Sequence, residues 1–462
     1  MNATTERIGT DARNYVLFVG ALGALAGLMF GLDIGVISGA QRFIQKDFRI
    51  SDQVVEHIVS WMMIGAALGA AGASFMSSKL GRKRALVLGA GIFVLASVMC
   101  GLSGSVDALL AWRLVLGLAI GVLTFTAPMY LAEVSPERNR GAIVASYQLM
   151  ITIGIFLAFL SDTAFSYSGD WHWMLGIIAI PGFLFLLGVL VLPDSPRWLM
   201  MNGRKSEAVE VLHRLRADPG VVSAEVADIE AQLKIPQRGM KMFVNNSNFR
   251  RSVGLGVLLQ FVQQLTGMNV VMYYAPRIFQ DMGYALSAQM WFTAAVGLTN
   301  VLATFIAIAF VDRLGRKPIL YIGFCVMAIG LGLVGLMMHL GITSHVEQLF
   351  TVVMLLIFIV GFAMSAGPLI WILCSEVQPL QGRDFGIGVS TVANWVGNFI
   401  VGATFLSLLN HFGHANTFWL YSGLNVLFLL ITFSLIPETK GITLEHIERD
   451  LMAGKSLKML GQ

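Results

Sequence analysis

Long apolar runs alternate with short polar breaks along almost the whole chain. A helix needs about 20 mostly apolar residues to cross a bilayer. Windows of that size fall near 15–40, 54–77, 85–105, 108–131, 142–163, 173–192, 252–279, 288–311, 319–340, 350–374, 386–409 and 416–436. The pattern predicts twelve transmembrane helices. The first run is too long for a signal-peptide core and is read as the first span. Between the sixth and seventh runs, residues 204–235 turn polar and mostly lack Pro and Gly, with Val209, Leu212 and Leu215 at helical spacing. They predict short amphipathic helices rather than a loose tether. The expected division is an N-terminus over 1–14, a six-helix bundle over 15–192, a linker over 193–251, a second bundle over 252–436 and a tail over 437–462.

Composition agrees. Only 13% of the residues are charged and 56% are hydrophobic, against about 25% charged in an average soluble domain. An ordinary soluble enzyme, a disordered chain and a disulfide scaffold are excluded, and the bilayer is the expected surrounding. Cys100, Cys325 and Cys374 lie inside apolar runs and read as packing residues. With twelve crossings both termini and the linker share one side. Of the 31 Lys and Arg, that side holds all but Arg42, Lys46, Arg49 and Arg277 opposite and Arg113 within the fourth span. The excess marks that side as cytoplasmic.

The two halves repeat. Glu133-Val-Ser-Pro136 through Arg140 returns as Glu376-Val-Gln-Pro379 through Arg383, at an offset of 243. Leu80-Gly-Arg-Lys83 returns as Leu314-Gly-Arg-Lys317 at 234, and Pro193-Asp-Ser-Pro has a weaker echo in Pro437-Glu-Thr-Lys440 at 244. Three marks in the same order imply a duplicated six-helix unit, an all-α 6+6 bundle. Parallel repeats with a site between the halves near mid-membrane are a transporter architecture.

Two charged residues stand out inside the spans. Asp33, in FGLDIGVISGA, is an acid well within the first, and Arg113, in AWRLVLGLAIGV, is the one cation well within the fourth. A carboxylate at that depth costs about 2.5 kcal/mol or more unless it faces a cavity or a partner. Scarcity predicts that the two pair, and a pair whose solvation changes can load and release a proton; the rival reading is a static ion pair. A sodium site needs several converging oxygens, and no second carboxylate lies near Asp33 in sequence, so a proton is favoured as the coupling ion. The seventh span carries Gln260, Gln263, Gln264, Thr266, Asn269, Tyr273 and Tyr274 within fifteen residues. Side-chain amides both donate and accept, as sugar hydroxyls do, and apolar flanks complete a small-molecule site. Gly267 and Pro276 let this helix bend, and Gly367-Pro368 do the same in the tenth. The histidines are not spaced as a metal site, and GKS at 454–456 lacks the Gly of a phosphate loop, so neither a metal nor a nucleotide is expected.

LGRK after the second span, DRLGRKP at 312–318, PDSPRWL at 193–199, QQLTGMN at 263–269 and PETKG at 437–441 resemble the sugar porter family of the major facilitator superfamily. The likeness covers essentially the whole chain and is strongest to bacterial sugar–proton symporters for galactose and arabinose. It implies proton-coupled import of a monosaccharide, a galactose/glucose-type hexose first and arabinose second, by a monomer of the bacterial inner membrane; rocking of the two halves around a central site would give alternating access. It gives Asp33 and Arg113 the proton-coupling role. Sugar contacts carried over by resemblance are Gln263, Gln264 and Asn269, with Gln148, Asn300, Trp371, Asn394, Trp395 and Asn398 lining the same pocket. Arg82, Glu133, Arg140, Asp312, Arg316, Glu376 and Arg383 would form a cytoplasmic charge lattice that closes the inner side, with Asp194, Arg197 and Glu438 tying in the linker. The expected cofactor is none beyond the proton, no nucleic acid is involved, and no covalent step makes it an enzyme. The rivals are a facilitative uniporter and a non-transporting sugar receptor, the latter disfavoured by the short tail.

Overall fold

The computed structural model describes residues 3–136, 140–216, 218–234 and 239–460, and of 3–12, 140–142, 144, 310–313 and 445 the backbone alone. Its twelve helical spans are long and apolar enough to cross a membrane. The first six are α1 (Ala3–Phe48), α2 (Asp52–Leu80), α3 (Arg82–Gly101), α4 (Val106–Val134), α5 (Arg140–Ser166) and the pair α6 (Trp171–Gly176) and α7 (Ala179–Val191). Four short helices follow: α8 (Pro196–Met201), α9 (Lys205–Leu215), α10 (Pro219–Leu233) and α11 (Gly239–Asn245). The second set is α12 (Ser247–Leu265) with α13 (Met268–Asp281), α14 (Leu286–Leu314), α15 (Arg316–Leu340), α16 (His345–Met364) with α17 (Ala366–Glu376), α18 (Arg383–Phe412) and α19 (His414–Leu435). A last helix, α20 (Leu444–Met452), lies in the tail. No strand occurs among the described residues. The first helix continues past the predicted 40 to Phe48, and the seventh span starts at Ser247 rather than 252.

Lipid offers no hydrophobic drive between helices, so close backbone approach at small residues holds them together. In α1, Gly27, Gly31, Gly35 and Gly39 repeat every fourth position. A Cβ on Gly27 or Gly31 would strike the carbonyl oxygen of Tyr147 or Ile151 on α5. α2 and α4 mesh reciprocally: Gly65 lies against the carbonyl of Leu114, and Gly117 against that of Met62. Leu, Phe and Ile side chains such as Leu68, Phe75, Leu184 and Leu302 are left on the outside, where acyl chains cover them.

Two spans break where the sequence allows it. Gly267 takes φ +95°, a left-handed conformation that favours glycine, and separates α12 from α13. Tyr274, two residues before Pro276, leaves helical geometry at φ −119°, ψ 16°. In the tenth span the interruption falls at Ser365 (φ −130°, ψ −91°), just before Gly367-Pro368.

The termini and linker share the terminal face of the bundle; the opposite face is called here the far face. The linker helices pack through Leu212, Val222 and Val226. Buried Arg216 binds both oxygens of Glu225 at 2.8 Å and donates to the Val134 carbonyl at the end of α4. On the exposed surface, hydrogen bonds from Arg204 and Lys205 hold the carboxyls of Glu207 and Glu230 below their ordinary range. At the far face the halves are joined. Gln41 donates to the Tyr273 carbonyl (2.7 Å), Arg42 to Gln289 (2.8 Å), Asn410 to Asp52 (3.1 Å), and Glu56 accepts from the Ser407 amide and hydroxyl (2.7 and 2.6 Å).

Candidate functional site

Asp33 and Arg113 meet as the pairing argument requires. Arg113 Nη1 lies 2.5 Å from Asp33 Oδ1, and both side chains are 0% exposed. Arg113 Nε donates to the Ile58 carbonyl at 3.2 Å, which fixes the guanidinium against α2. The pair is only half satisfied: Asp33 Oδ2 and Arg113 Nη2 are buried without hydrogen-bond partners. Breaking a buried pair strands a charge and is costly, yet the open oxygen leaves a place where a proton can sit.

The scarcity behind the pairing does not hold. Two further carboxylates are buried in the first half, Asp162 of α5 and Glu56 of α2, each 2% exposed. Neither lies near Asp33 in sequence. Asp162 Oδ2 accepts from the Gly39 amide at 2.9 Å, and its Oδ1 has no partner. Glu56 is satisfied differently, by the two donors of Ser407 across the halves.

The broken seventh span supplies an amide network. Asn394 of α18 donates to Gln260 Oε1 (2.6 Å) and Gln263 Oε1 (2.9 Å). Gln263 in turn donates to the carbonyls of Ala366 and Gly367 (3.0 and 2.8 Å), so the break in the seventh span is bonded to the one in the tenth. Asn269, placed just after Gly267, donates to Gln264 Oε1 and to Asn398 Oδ1 (3.1 Å), and Asn398 donates to the Tyr273 hydroxyl (3.1 Å). Gln263, Gln264, Asn269, Asn394 and Asn398 are thus brought together. Trp395 is buried and stands edge-on to Phe30 of α1, with centroids 5.2 Å apart. Phe30 was not singled out from the sequence; its place one turn before Asp33 is the signal that points to it. Asn300 is buried, Gln148 half-buried and Trp371 37% exposed. No side-chain hydrogen bond among the described residues joins these three to the network.

At the terminal face the three repeated motifs converge once in each half. Arg82 holds both oxygens of Glu133 (2.8–3.2 Å), and Ser195 donates to the same carboxylate (2.5 Å). Arg316 binds Glu376 (3.0 Å), and Thr439 donates to its other oxygen (2.5 Å). The offsets of these members, 234, 243 and 244, are those of the sequence repeats. Both triads lie within a half. Arg383 donates to the Gln378 carbonyl, and the side chains of Arg140 and Asp312 lie outside the described residues. The linker ties differ from expectation. Ser195, not its neighbour Asp194, reaches Glu133, and one Asp194 oxygen is without a hydrogen-bond partner. Glu438 accepts from the amides of Arg316 and Lys317, capping the start of α15.

Residues 19–451 match the family model described as sugar (and other) transporter. The chain is 57% identical over 457 residues to the galactose-proton symporter of Escherichia coli K12, covering 99% of this chain and 98% of that one. It is 52% identical over 464 residues to the arabinose-proton symporter of the same strain, covering 100% and 98%. Among solved structures it resembles the proton:xylose symporter XylE bound to 6-bromo-6-deoxy-D-glucose, with a TM-score of 0.82 and 29% identity over 96% of this chain and 99% of that one. The partially occluded, inward-open form of XylE from E. coli also scores 0.82, at 27% identity over 93% and 100%. With twelve spans and two copies of one terminal-face triad, the chain belongs to the sugar transporter family and has the major facilitator fold.

Proposed function

We propose that the chain is a secondary active transporter of the bacterial inner membrane that imports a monosaccharide with a proton, and that it is not an enzyme. The observation that carries the reading is the buried Asp33–Arg113 pair with one carboxylate oxygen open, in a half of the molecule that meets the amide network through Phe30 and Trp395. The terminal face is the cytoplasmic one, because the Lys and Arg excess lies there, and the far face is external. The monomer needs no cofactor other than the proton.

The sugar ligands are Gln263, Gln264, Asn269, Asn394 and Asn398, with Trp395 as an apolar wall and with Gln148, Asn300 and Trp371 carried over from the family resemblance. The amides already bond one another, so a sugar hydroxyl exchanges one hydrogen bond for another and little desolvation is left uncompensated. A galactose-type hexose is the substrate, since the 57% identical relative is a galactose-proton symporter. Arabinose, which lacks one hydroxymethyl group, is second, and a contact of that size separates substrates by only about 1–3 kcal/mol. A proton on Asp33 weakens its hold on Arg113 and frees α1 from α4. Sugar and proton then favour the same rearrangement. Arg82, Glu133, Arg140, Asp312, Arg316, Glu376 and Arg383 brace the cytoplasmic gate: each triad stiffens its own half, and the two halves meet there when that face closes.

The test is sugar-induced alkalinisation of a weakly buffered, de-energised cell suspension expressing the chain, with galactose, glucose, arabinose and xylose added in turn. A pH rise with galactose or glucose is expected. Equilibration of radiolabelled sugar with no pH change would make the chain a uniporter and reduce Asp33 to structure.

A further inference from the structure

Asp162 is a buried acid that the transport scheme above does not use. It stands 14 residues after Gln148 on α5, one position before Thr163. Its Oδ2 accepts the Gly39 amide of α1 at 2.9 Å, while Oδ1 is enclosed and has no hydrogen-bond partner. Gly39 is required for this seat, because a Cβ there would strike the carboxyl group itself. No ion pair reaches Asp162 among the described residues. The charged groups of the surrounding helices are engaged elsewhere or exposed. On α1, Asp33 is held by Arg113, Arg42 donates to Gln289 and Asp47 accepts from Trp171. On α4, Arg113 faces Asp33 and Asp107 is exposed. On α6, His172 is bonded to the Gly101 carbonyl, and α14 carries no charged residue from Leu286 to Ala309.

The site lies where the far face closes. Two and three residues after Gly39, Gln41 and Arg42 of α1 bond Tyr273 and Gln289 of the second half. Thr163, next to Asp162, contacts the Met290 carbonyl of α14 at 3.3 Å. Opening the far face breaks these bonds and wets the ends of α1 and α5 where they face the second half, beside Asp162. An ionised carboxylate is costly in the closed arrangement, where the Gly39 amide is its one donor among the described residues, and is readily hydrated in the open one.

We propose that Asp162 is a positioning residue that ties closure of the far face to proton uptake: it enters the closed state as the neutral acid, seated on Gly39, and ionises when that face opens. It acts through α1, the helix that carries Asp33. Its proton comes from and returns to the far side, so it adds nothing to the transport stoichiometry and instead makes opening depend on the pH of that side. The inference builds on the alternating-access reading, but its readouts need neither sugar nor a proton gradient, so it can fail while symport stands and the reverse.

Two measurements on purified full-length protein test it. The first is the infrared carbonyl stretch of a protonated carboxylic acid, compared between the wild type and Asp162→Asn. The second is far-side maleimide labelling of a Met290→Cys reporter, in a background lacking Cys100, Cys325 and Cys374, as external pH rises. A carboxylic-acid band that is lost in D162N is expected. Divided at each pH by the labelling rate of an exposed far-side cysteine, so that thiol ionisation cancels, labelling should rise by up to about tenfold per pH unit, the slope of one proton released on opening, and D162N should flatten that slope. A band that persists in D162N, a slope that D162N leaves unchanged, or no slope in the wild type overturns the proposal. Should D162N fail to fold, the band is read instead in Asp33→Asn protein carrying 13C-aspartate, where Asp162 is the buried aspartate left with no ion pair; absence of a protonated-aspartate band there is equally fatal.

Discussion

Replacing Asp33 by Asn separates coupling from transport. The carboxylate touches Arg113 at 2.5 Å in a site with no solvent exposure. Full truncation to Ala would leave the guanidinium buried without its counter-charge, a loss of about 3–5 kcal/mol. Asn keeps an oxygen for Arg113 Nη1, so D33N should fold and still bind sugar, while no proton can be taken up at that position. With one proton per sugar, each 100 mV of proton-motive force is worth about 2.3 kcal/mol, which sustains roughly a fiftyfold sugar gradient. In energised membrane vesicles D33N should therefore fall from such a gradient to a ratio of about 1, with counterflow of labelled sugar still measurable. Thermal unfolding supplies the control: D33A should be less stable than D33A/R113A, because the second change removes the stranded charge. Wild-type accumulation by D33N would refute the coupling role. Loss of counterflow along with accumulation, in folded protein, would make the pair a structural element.

Gln264→Ala removes an amide that the network places beside Asn269 and Gln263; losing two sugar hydrogen bonds at about 1 kcal/mol each raises Kd roughly thirtyfold, measurable by equilibrium binding. An unchanged Kd would move the sugar away from this span. Glu56→Ala cuts both bonds to Ser407 across the far face. Each is a hydrogen bond to a charged group worth about 1.5–3 kcal/mol, so far-side labelling of the Met290→Cys reporter should rise at least about tenfold. An unaltered rate would remove Glu56 from the closure.

The helices were legible in the sequence because a bilayer imposes length and polarity on each crossing independently of its neighbours. Asp33 with Arg113, and the amides of the seventh span, were legible for the same reason: a charge or a cluster of amides at mid-span has few bland explanations. Asp162 and Glu56 were not. Both lie near the ends of hydropathy windows, where an acid is unremarkable. Their burial depends on how far other helices reach: α1 continues to Phe48 and lays Gly39 over Asp162, and α18 of the other half brings Ser407 to Glu56. Ser195 and Thr439 were hidden differently. They are short neutral side chains beside Asp194 and Glu438, and only the fold decides which neighbour reaches the shared carboxylate.

The two faces are held by different kinds of contact, which bears on how the halves move. At the terminal face the Arg82–Glu133–Ser195 and Arg316–Glu376–Thr439 triads tie helices within one half, and Arg216 extends this to the linker. Charge-assisted bonds that are not broken by a rocking motion make each half a rigid body. At the far face Gln41, Arg42, Asp52 and Glu56 bond the opposite half directly, so those bonds are surrendered when that face opens. Such a swing needs a compensating gain of similar size. Water supplies part of it, since every partner there is polar and hydrates once exposed. In the proposed scheme sugar and proton act at mid-membrane, where the breaks at Gly267 and Ser365 are already bonded to each other through Gln263. A ligand that competes for Gln263 would therefore loosen the two bent helices together, in the half opposite the Asp33–Arg113 pair, and the network reaches that pair's helix through Trp395 against Phe30 and through Tyr273, bonded to Asn398 and to Gln41 of α1.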